Sequence, residues 1–238
     1  MYSKKRSSLV RNIRVRQKDG IFPVISEIKL RSKKVGDLIR GRDPVLLTRE
    51  MASSPVAGIS VVTEPEYFGG NMELLQNVVA SVSLPVLQKD FILTADQIEE
   101  SAKTGASAIL LIAAMLSDER LAELVSVAAQ LGIESLVEVH TVSEMKRVQE
   151  LDFDLIGVNN RDITVLEVDD SDVGLTEALA GYHDGKRPLI SESAVSDPND
   201  VIRAGKAGAD AVLVGTAVML AADISSFLNG MVSIGWPV

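Results

Sequence analysis

Short apolar runs recur along the chain at near-regular intervals: FPVISEI, AGISVVT, LPVLQKD, ASAILLI, ESLVEVH, DLIGVNN, RPLISES and DAVLVG. Most are continuous rather than alternating, which suits strands covered on both faces, as in a parallel sheet under helices. Longer amphipathic stretches lie between them. In DERLAELVSVAAQLG, the residues Leu121, Leu124, Val125 and Ala128 repeat at helical spacing, and Gly132 stands where a helix should stop. VSEMKRVQELD reads as another helix. Thr94 with Gln97, and Thr141 with Glu144, fit the capping box that satisfies orphan amides of a first turn. Ser117, followed by Asp118 and Glu119, offers a further cap with charges favourable to the helix dipole.

Strand ends at Glu27, Thr63, Lys89, Ile112, Glu138, Asn159, Glu192 and Gly215 give eight strands, each followed by a helix. That count predicts an α/β chain built as a single (β/α)8 TIM barrel over residues 21–238, with a short basic N-terminal extension over residues 1–20. A doubly wound sheet is the main competitor, but the first strand is followed by KLRSKKVGD, with no glycine-rich dinucleotide turn.

Composition narrows the chemistry. At 238 residues and 46% hydrophobic, the chain can bury a sizeable core, and with only 4% aromatics that core must be aliphatic. The absence of cysteine excludes disulfides, thiolate metal sites and cysteine nucleophiles. A net charge of -9 argues against nucleic acid as a partner. The charge is uneven: residues 1–20 carry +6, from Lys4, Lys5, Arg6, Arg11, Arg14, Arg16 and Lys18 against Asp19. This segment reads first as a solvated, partly frayed terminus, and second as a basic flap near an anionic substrate. No signal peptide or membrane-length apolar stretch is present, so a soluble cytoplasmic protein is expected, with no membrane partner.

Barrel enzymes keep their active sites at the C-terminal ends of the strands. Glu27 and Lys29 end the first strand here, Lys89 the third, Glu138 the fifth, Asn159 to Arg161 the sixth, and Glu192 with Ser193 the seventh. Singly, each reads as a salt bridge at the rim. Five together are harder to dismiss, because crowded charges cost stability unless they pair or work. Glu27 and Lys29 lie two apart and face the same side. His140 reads as a loop or capping residue before a catalytic base, and His183 as an exposed loop residue. No metal site is expected, and no serine-hydrolase elbow or P-loop appears. Ser193-Ala194 and Gly215-Thr216 are placed to offer backbone amides to a phosphate, with helix capping by Thr216 as the plainer reading.

Read in order, these strand ends resemble the indole-3-glycerol phosphate synthase family of tryptophan biosynthesis. The match uses Glu27-Ile28-Lys29, TEPEYFGG from Thr63 to Gly70, Lys89-Asp90-Phe91, Val137 to His140, Asn159 to Asp162, and Ser191 to Ser193. The resemblance implies conversion of 1-(2-carboxyphenylamino)-1-deoxyribulose 5-phosphate to indole-3-glycerol phosphate, with loss of carbon dioxide and water and without a cofactor. It implies Lys89 as general acid, with Lys29 as second candidate or carboxylate clamp, and Glu138 as base. Glu27 and Glu192 would hold the lysines and substrate hydroxyls, and Asn159 and Arg161 would orient the substrate. Phe91 and Leu110 would contact the aromatic ring, and Ser32, Ser193, Ala194, Gly215 and Thr216 match phosphate-binding positions. Asp90 is read as a structural partner. The partner implied is a small phosphorylated substrate, with transient contacts to other tryptophan-pathway enzymes as a further expectation.

Three departures stand out. Ser32-Lys33-Lys34 replaces a common Ser-Pro-Ser. Ala194 replaces a glycine, which still allows an amide contact unless φ must be positive. About twenty residues precede the first strand, fewer than in many members, with LVRNIRVRQ as a trimmed extension. Phosphoribosylanthranilate isomerase is a rival barrel, but it uses a cysteine this chain lacks. The tryptophan synthase α chain lacks the Glu-x-Lys plus Lys-Asp-Phe combination. A non-catalytic phosphometabolite-binding barrel would be expected to lose one of Glu27, Lys29, Lys89 and Glu138, and all four are present.

Overall fold

The computed structural model describes residues 7–161 and 172–238. Lys4, Lys5, Arg6 and Asp162 therefore lie outside the described residues. One helix, α1 (Leu9–Lys18), precedes eight strands that close into a barrel in chain order, each parallel to its neighbours: β1 (Val24–Ile28), β2 (Gly58–Val62), β3 (Val86–Lys89), β4 (Ala108–Ile112), β5 (Glu134–Val139), β6 (Leu155–Asn159), β7 (Leu189–Glu192) and β8 (Ala211–Val214). Each predicted strand end falls within a residue of the observed one.

Helices α2 (Pro44–Ser53), α3 (Met72–Ser81), α4 (Ala95–Thr104), α5 (Asp118–Gln130), α6 (Val142–Val148), α7 (Gly174–Leu179) and α8 (Pro198–Ala207) each follow one strand. Two more, α9 (Thr216–Leu220) and α10 (Ile224–Val232), follow the last. A small hairpin, Arg31–Ser32 against Gly36–Asp37, sits between β1 and α2.

The continuous apolar runs are explained by two aliphatic layers. Ile25, Leu87, Leu110, Leu136, Ile190 and Leu213 fill the barrel interior, while their strand neighbours, such as Val24, Val137 and Val212, pack outward under the helices. The capping box at α4 forms in both directions. At α6, Thr141 accepts from the Glu144 N–H at 3.1 Å, but the Glu144 carboxylate reaches past the cap to the His140 N–H, at 2.8 Å. Ser117 caps α5 through the Arg120 N–H. Thr216 does not cap α9: the N-cap residue is Gly215 and no side chain caps the helix.

The described part of the N-terminal segment, residues 7–20, is held on the barrel and lies away from the mouth. Leu9 and Ile13, four apart on α1, are fully buried and join the interior cluster. Asn12 donates to the Ala57 carbonyl at 2.7 Å, and Arg14 pairs with Asp210 at 2.5 Å. Glu134 accepts from the Leu9 N–H at 2.7 Å and from the Ser8 hydroxyl. Ala57, Glu134 and Asp210 all stand at the N-terminal ends of strands. The helix therefore plugs the floor of the barrel with one face, leaves Arg11 and Lys18 on the other face exposed, and lies opposite the mouth rather than as a flap over substrate. Two apolar residues hidden among seven cations were the signal for it.

Candidate active site

Parallel register brings the polar strand ends to one level. Val62 stands opposite Lys89, Ile112 opposite Glu138, and Asn159 opposite Glu192. Their side chains converge inside the mouth. Lys89 Nζ lies 3.1 Å from Glu192 Oε2 and 3.8 Å from Glu27 Oε2. Lys29 Nζ lies 3.7 Å from Glu27 Oε1, as expected for two residues on one strand face. Ser60 donates to Glu27 Oε2 at 3.2 Å. Glu27, Lys29, Glu138 and Glu192 are all buried, while Lys89 keeps a side-chain exposure of 16%.

Burial alone would pull the Lys89 ammonium down, but the Glu192, Glu27 and Glu138 carboxylates outweigh it and hold its pKa above the ordinary lysine range. Burial pushes the Glu138 carboxyl up, against the opposing effects of Lys89 and a hydrogen bond from Asn159. Burial pushes Glu192 to about 7, with the Lys89 ammonium opposing. These directions pull apart: Lys89 favours an ion pair that the burial of Glu192 resists. Charge balance reconciles them. Three carboxylates face two lysines, so Lys89 stays cationic and the readily exchanged proton belongs to the carboxylates.

Above this cluster opens a cleft of about 600 Å³. Phe91, Leu110, Ile112, Phe68 and Val62 supply an apolar wall facing Glu27, Lys29, Lys89 and Glu138, with Asn159 and Arg161 beside them. A second cleft of about 770 Å³ continues from it, lined by Ser193, Ala194, Gly215 and Thr216 and sharing Lys29, Lys89 and Arg161. Ser193 and Ala194 both take left-handed backbone angles, with φ of 63° and 57°. The condition attached to Ala194 is thus met: its position does require positive φ. The Thr216 hydroxyl is buried and has no hydrogen-bond partner among the described residues.

Some expected site residues are placed elsewhere. Ser32 lines neither cleft; it is buried in the hairpin, where its hydroxyl accepts from the Val35 N–H at 3.1 Å. Asp90 does act as a structural partner, accepting from the Thr63 hydroxyl at 2.6 Å. His183 is not exposed: its ring is largely covered and bonds the Arg187 carbonyl at 2.9 Å.

Three neighbours make contacts that the sequence does not assign. Glu64 is buried and accepts from the N–H groups of Glu66, Tyr67 and Phe68, at 2.8, 2.7 and 3.1 Å. That turn sets Phe68 against Lys29, whose Nζ lies 5.6 Å from the ring centroid. A glutamate opening a Pro- and Gly-bearing turn was the available signal. His140 keeps its loop position, but its ring also stands 3.4 Å from Glu138 Oε1 and 3.8 Å from Glu144 Oε2. Asn160 ties β6 to β7, donating to the Glu192 carbonyl at 2.8 Å and accepting from the Thr176 N–H at 2.9 Å.

Residues 2–231 match the family model described as indole-3-glycerol phosphate synthase. Proteins of that name are similar throughout. One from Pyrococcus furiosus is 45% identical over 88% of this chain and 91% of its own length. One from Thermococcus kodakarensis is 42% identical over 95% and 97%, and one from Halobacterium salinarum is 41% identical over 84% and 77%. Among solved structures, the N-acetylmannosamine-6-phosphate 2-epimerase of Clostridium perfringens superposes with a TM-score of 0.65 at 17% identity, covering 84% of this chain and 89% of that one. At that identity the likeness is one of fold.

Proposed function

The chain belongs to the indole-3-glycerol phosphate synthase family, carboxy-lyases of tryptophan biosynthesis, and we propose that its barrel mouth closes the indole ring by lysine and glutamate acid–base chemistry. The substrate on this reading is 1-(2-carboxyphenylamino)-1-deoxyribulose 5-phosphate. The observation that carries it is Lys89: a cation held among Glu192, Glu27 and Glu138 at the edge of an apolar wall.

The apolar wall of Phe91 and Leu110 receives the aromatic ring, and Lys29, beside Phe68, clamps its carboxylate. The ring carbon bearing that carboxylate attacks the ketone, forming the new carbon–carbon bond and placing negative charge on the former carbonyl oxygen. Lys89 is loaded with its proton at neutral pH, and an alkoxide is basic enough to take it. Carbon dioxide then leaves, and its bonding electrons restore the aromatic ring. Lys29, the second cation of the site, protonates the hydroxyl so that it departs as water while Glu138 removes a proton from the carbon beside nitrogen, completing the indole double bond, and the two lysines are reprotonated from Glu138 and solvent. Glu27 and Glu192 hold Lys89 in place, and Asn159 and Arg161 orient the substrate between the two clefts.

The phosphate end lies in the second cleft, against Ser193, Ala194, Gly215 and the Thr216 hydroxyl. Asp210, by contrast, works at the floor, where it holds α1. A cytoplasmic setting accompanies this reading, and no helix among the described residues is long and apolar enough to cross a membrane.

The test is direct. Purified protein, given the carboxyphenylamino-deoxyribulose phosphate with no metal or cofactor added, is expected to generate indole fluorescence. Substrate binding without turnover would replace the enzyme with a phosphometabolite-binding barrel.

A further inference from the structure

Two glycines stand where barrel strands gain nothing from them. Gly157 lies inside β6, and Gly215 directly follows β8. A glycine within a strand weakens it and often marks a close approach by another group. Here the approaching groups are the carboxylates that hold Lys89. A Cβ added at Gly157 would overlap Glu192 Oε1 and lie 3.0 Å from its Cδ. A Cβ at Gly215 would overlap Glu27 Oε1 and lie 3.1 Å from its Cδ.

The two arrangements match. Glu192 turns Oε2 to Lys89 at 3.1 Å and Oε1 to Gly157; Glu27 turns Oε2 to Lys89 at 3.8 Å and Oε1 to Gly215, where it also pairs with Lys29 at 3.7 Å. Each carboxylate comes from one strand and seats over the bare backbone of the next, β7 over β6 and β1 over β8. We propose that Gly157 and Gly215 are positioning residues, two niches whose missing side chains let the Glu192 and Glu27 carboxylates lie flat against the wall with one oxygen aimed at Lys89. This rests on the roles proposed for Lys89, Glu27 and Glu192. A methyl group in either niche acts chiefly through the carboxylate it displaces, since the overlapping atoms are the far end of a flexible side chain; the next neighbour at Gly157, Leu136 Cδ1 at 3.3 Å, has only to give by a few tenths of an ångström.

The experiment is a double-mutant cycle between the niche and its occupant. Gly157→Ala is expected to lower kcat by about 100-fold or more, at the lower end for a displaced acid–base group. KM should change by less than about threefold, because the substrate-binding walls are untouched. In a Glu192→Asp background the shorter carboxylate withdraws from the niche, so Gly157→Ala should then cost less than about threefold. Gly215→Ala with Glu27→Asp repeats the cycle at the second niche, read on kcat alone because Gly215 also lines the cleft of the phosphate end. Equal losses in both backgrounds would overturn the proposal, as would an unchanged kcat. Failure of Gly157→Ala to fold, with folding restored by Glu192→Asp, supports it; failure in both backgrounds overturns it. Glu192→Gln alone reports on the underlying reading. If that variant keeps full activity, the assigned role of Glu192 falls whatever the glycine does; if it is impaired and the cycle is additive, only the niche falls.

Discussion

Glu192 Oε2 and Lys89 Nζ stand 3.1 Å apart, on β7 and β3, nearly across the barrel from each other. The strands between them supply Glu138 and Asn159, so the pair spans the mouth and its other polar groups gather around it. Lys89→Ala removes the cation at the centre of this arrangement. Turnover should fall on the order of 10²–10⁴-fold, as for loss of a positioned acid or base. Circular dichroism should remain that of the parent, and ligand binding should survive. Near-normal turnover would move the acid to Lys29.

A pH profile tests Glu192. Its pKa is pushed from 4.5 to about 7 by burial, so it takes up a proton as pH falls through that value. The protonated form loses its ion pair with Lys89, and kcat/KM should decline on the acid side with a limb near 7. Glu192→Gln should flatten that limb at a lower plateau. For stability the sign is fixed by linkage: the folded chain binds this proton more tightly than the unfolded chain, so the group's contribution to stability decreases as pH rises from 4.5 through about 7. A limb that persists in Glu192→Gln would assign it to another carboxylate, with Glu138 first in line.

Ala194 holds a φ of 57°, a left-handed conformation that costs an L-residue roughly 1–2 kcal/mol and glycine almost nothing. Glycine also has more unfolded-state entropy, which offsets part of the gain. Ala194→Gly should therefore stabilise the protein by about 0.5–1 kcal/mol in urea unfolding. Ala194→Val should do the reverse. A stabilised valine variant would mean the loop is not left-handed at this position.

Ile13 is fully buried under the barrel floor, far from the mouth. Truncation to alanine should cost about 2–5 kcal/mol, the range for large-to-small changes in a packed core. Because α1 meets the barrel at its N-terminal end, KM should be unchanged at temperatures where the variant is folded. A raised KM with unaltered stability would return α1 to the role of an active-site flap.

The sequence alone was enough for the barrel and for most of its mouth. Eight near-continuous apolar runs, three of them closely followed by a cap signal, leave few other architectures, because parallel strands buried on both faces are apolar along most of their length. The polar residues that interrupt those runs at their ends could then be collected one strand at a time. Glu27, Lys29, Lys89, Glu138, Asn159 and Glu192 were found this way, since a charge at a buried strand tip conflicts with its surroundings.

What remained hidden depends on contacts between residues far apart in the chain. Leu9 and Ile13 lie in a basic stretch that does not say what they pack on, and the floor of the barrel receives them. Ser32 matches a phosphate position in sequence, yet its hydroxyl is taken by its own hairpin. His183 looked like loop, and the Arg187 carbonyl covers it. The glycine at 157 signals a close approach but not by what, and the carboxylate of Glu192 that fills the space above it comes from the neighbouring strand. Periodicity and capping are properties of neighbours in sequence, so the chain itself determines the strands, the helices and which tips carry charge. Which carboxylate meets which lysine, and what room it has to do so, is decided by barrel closure, which sets β7 beside β6 and brings β8 back to β1.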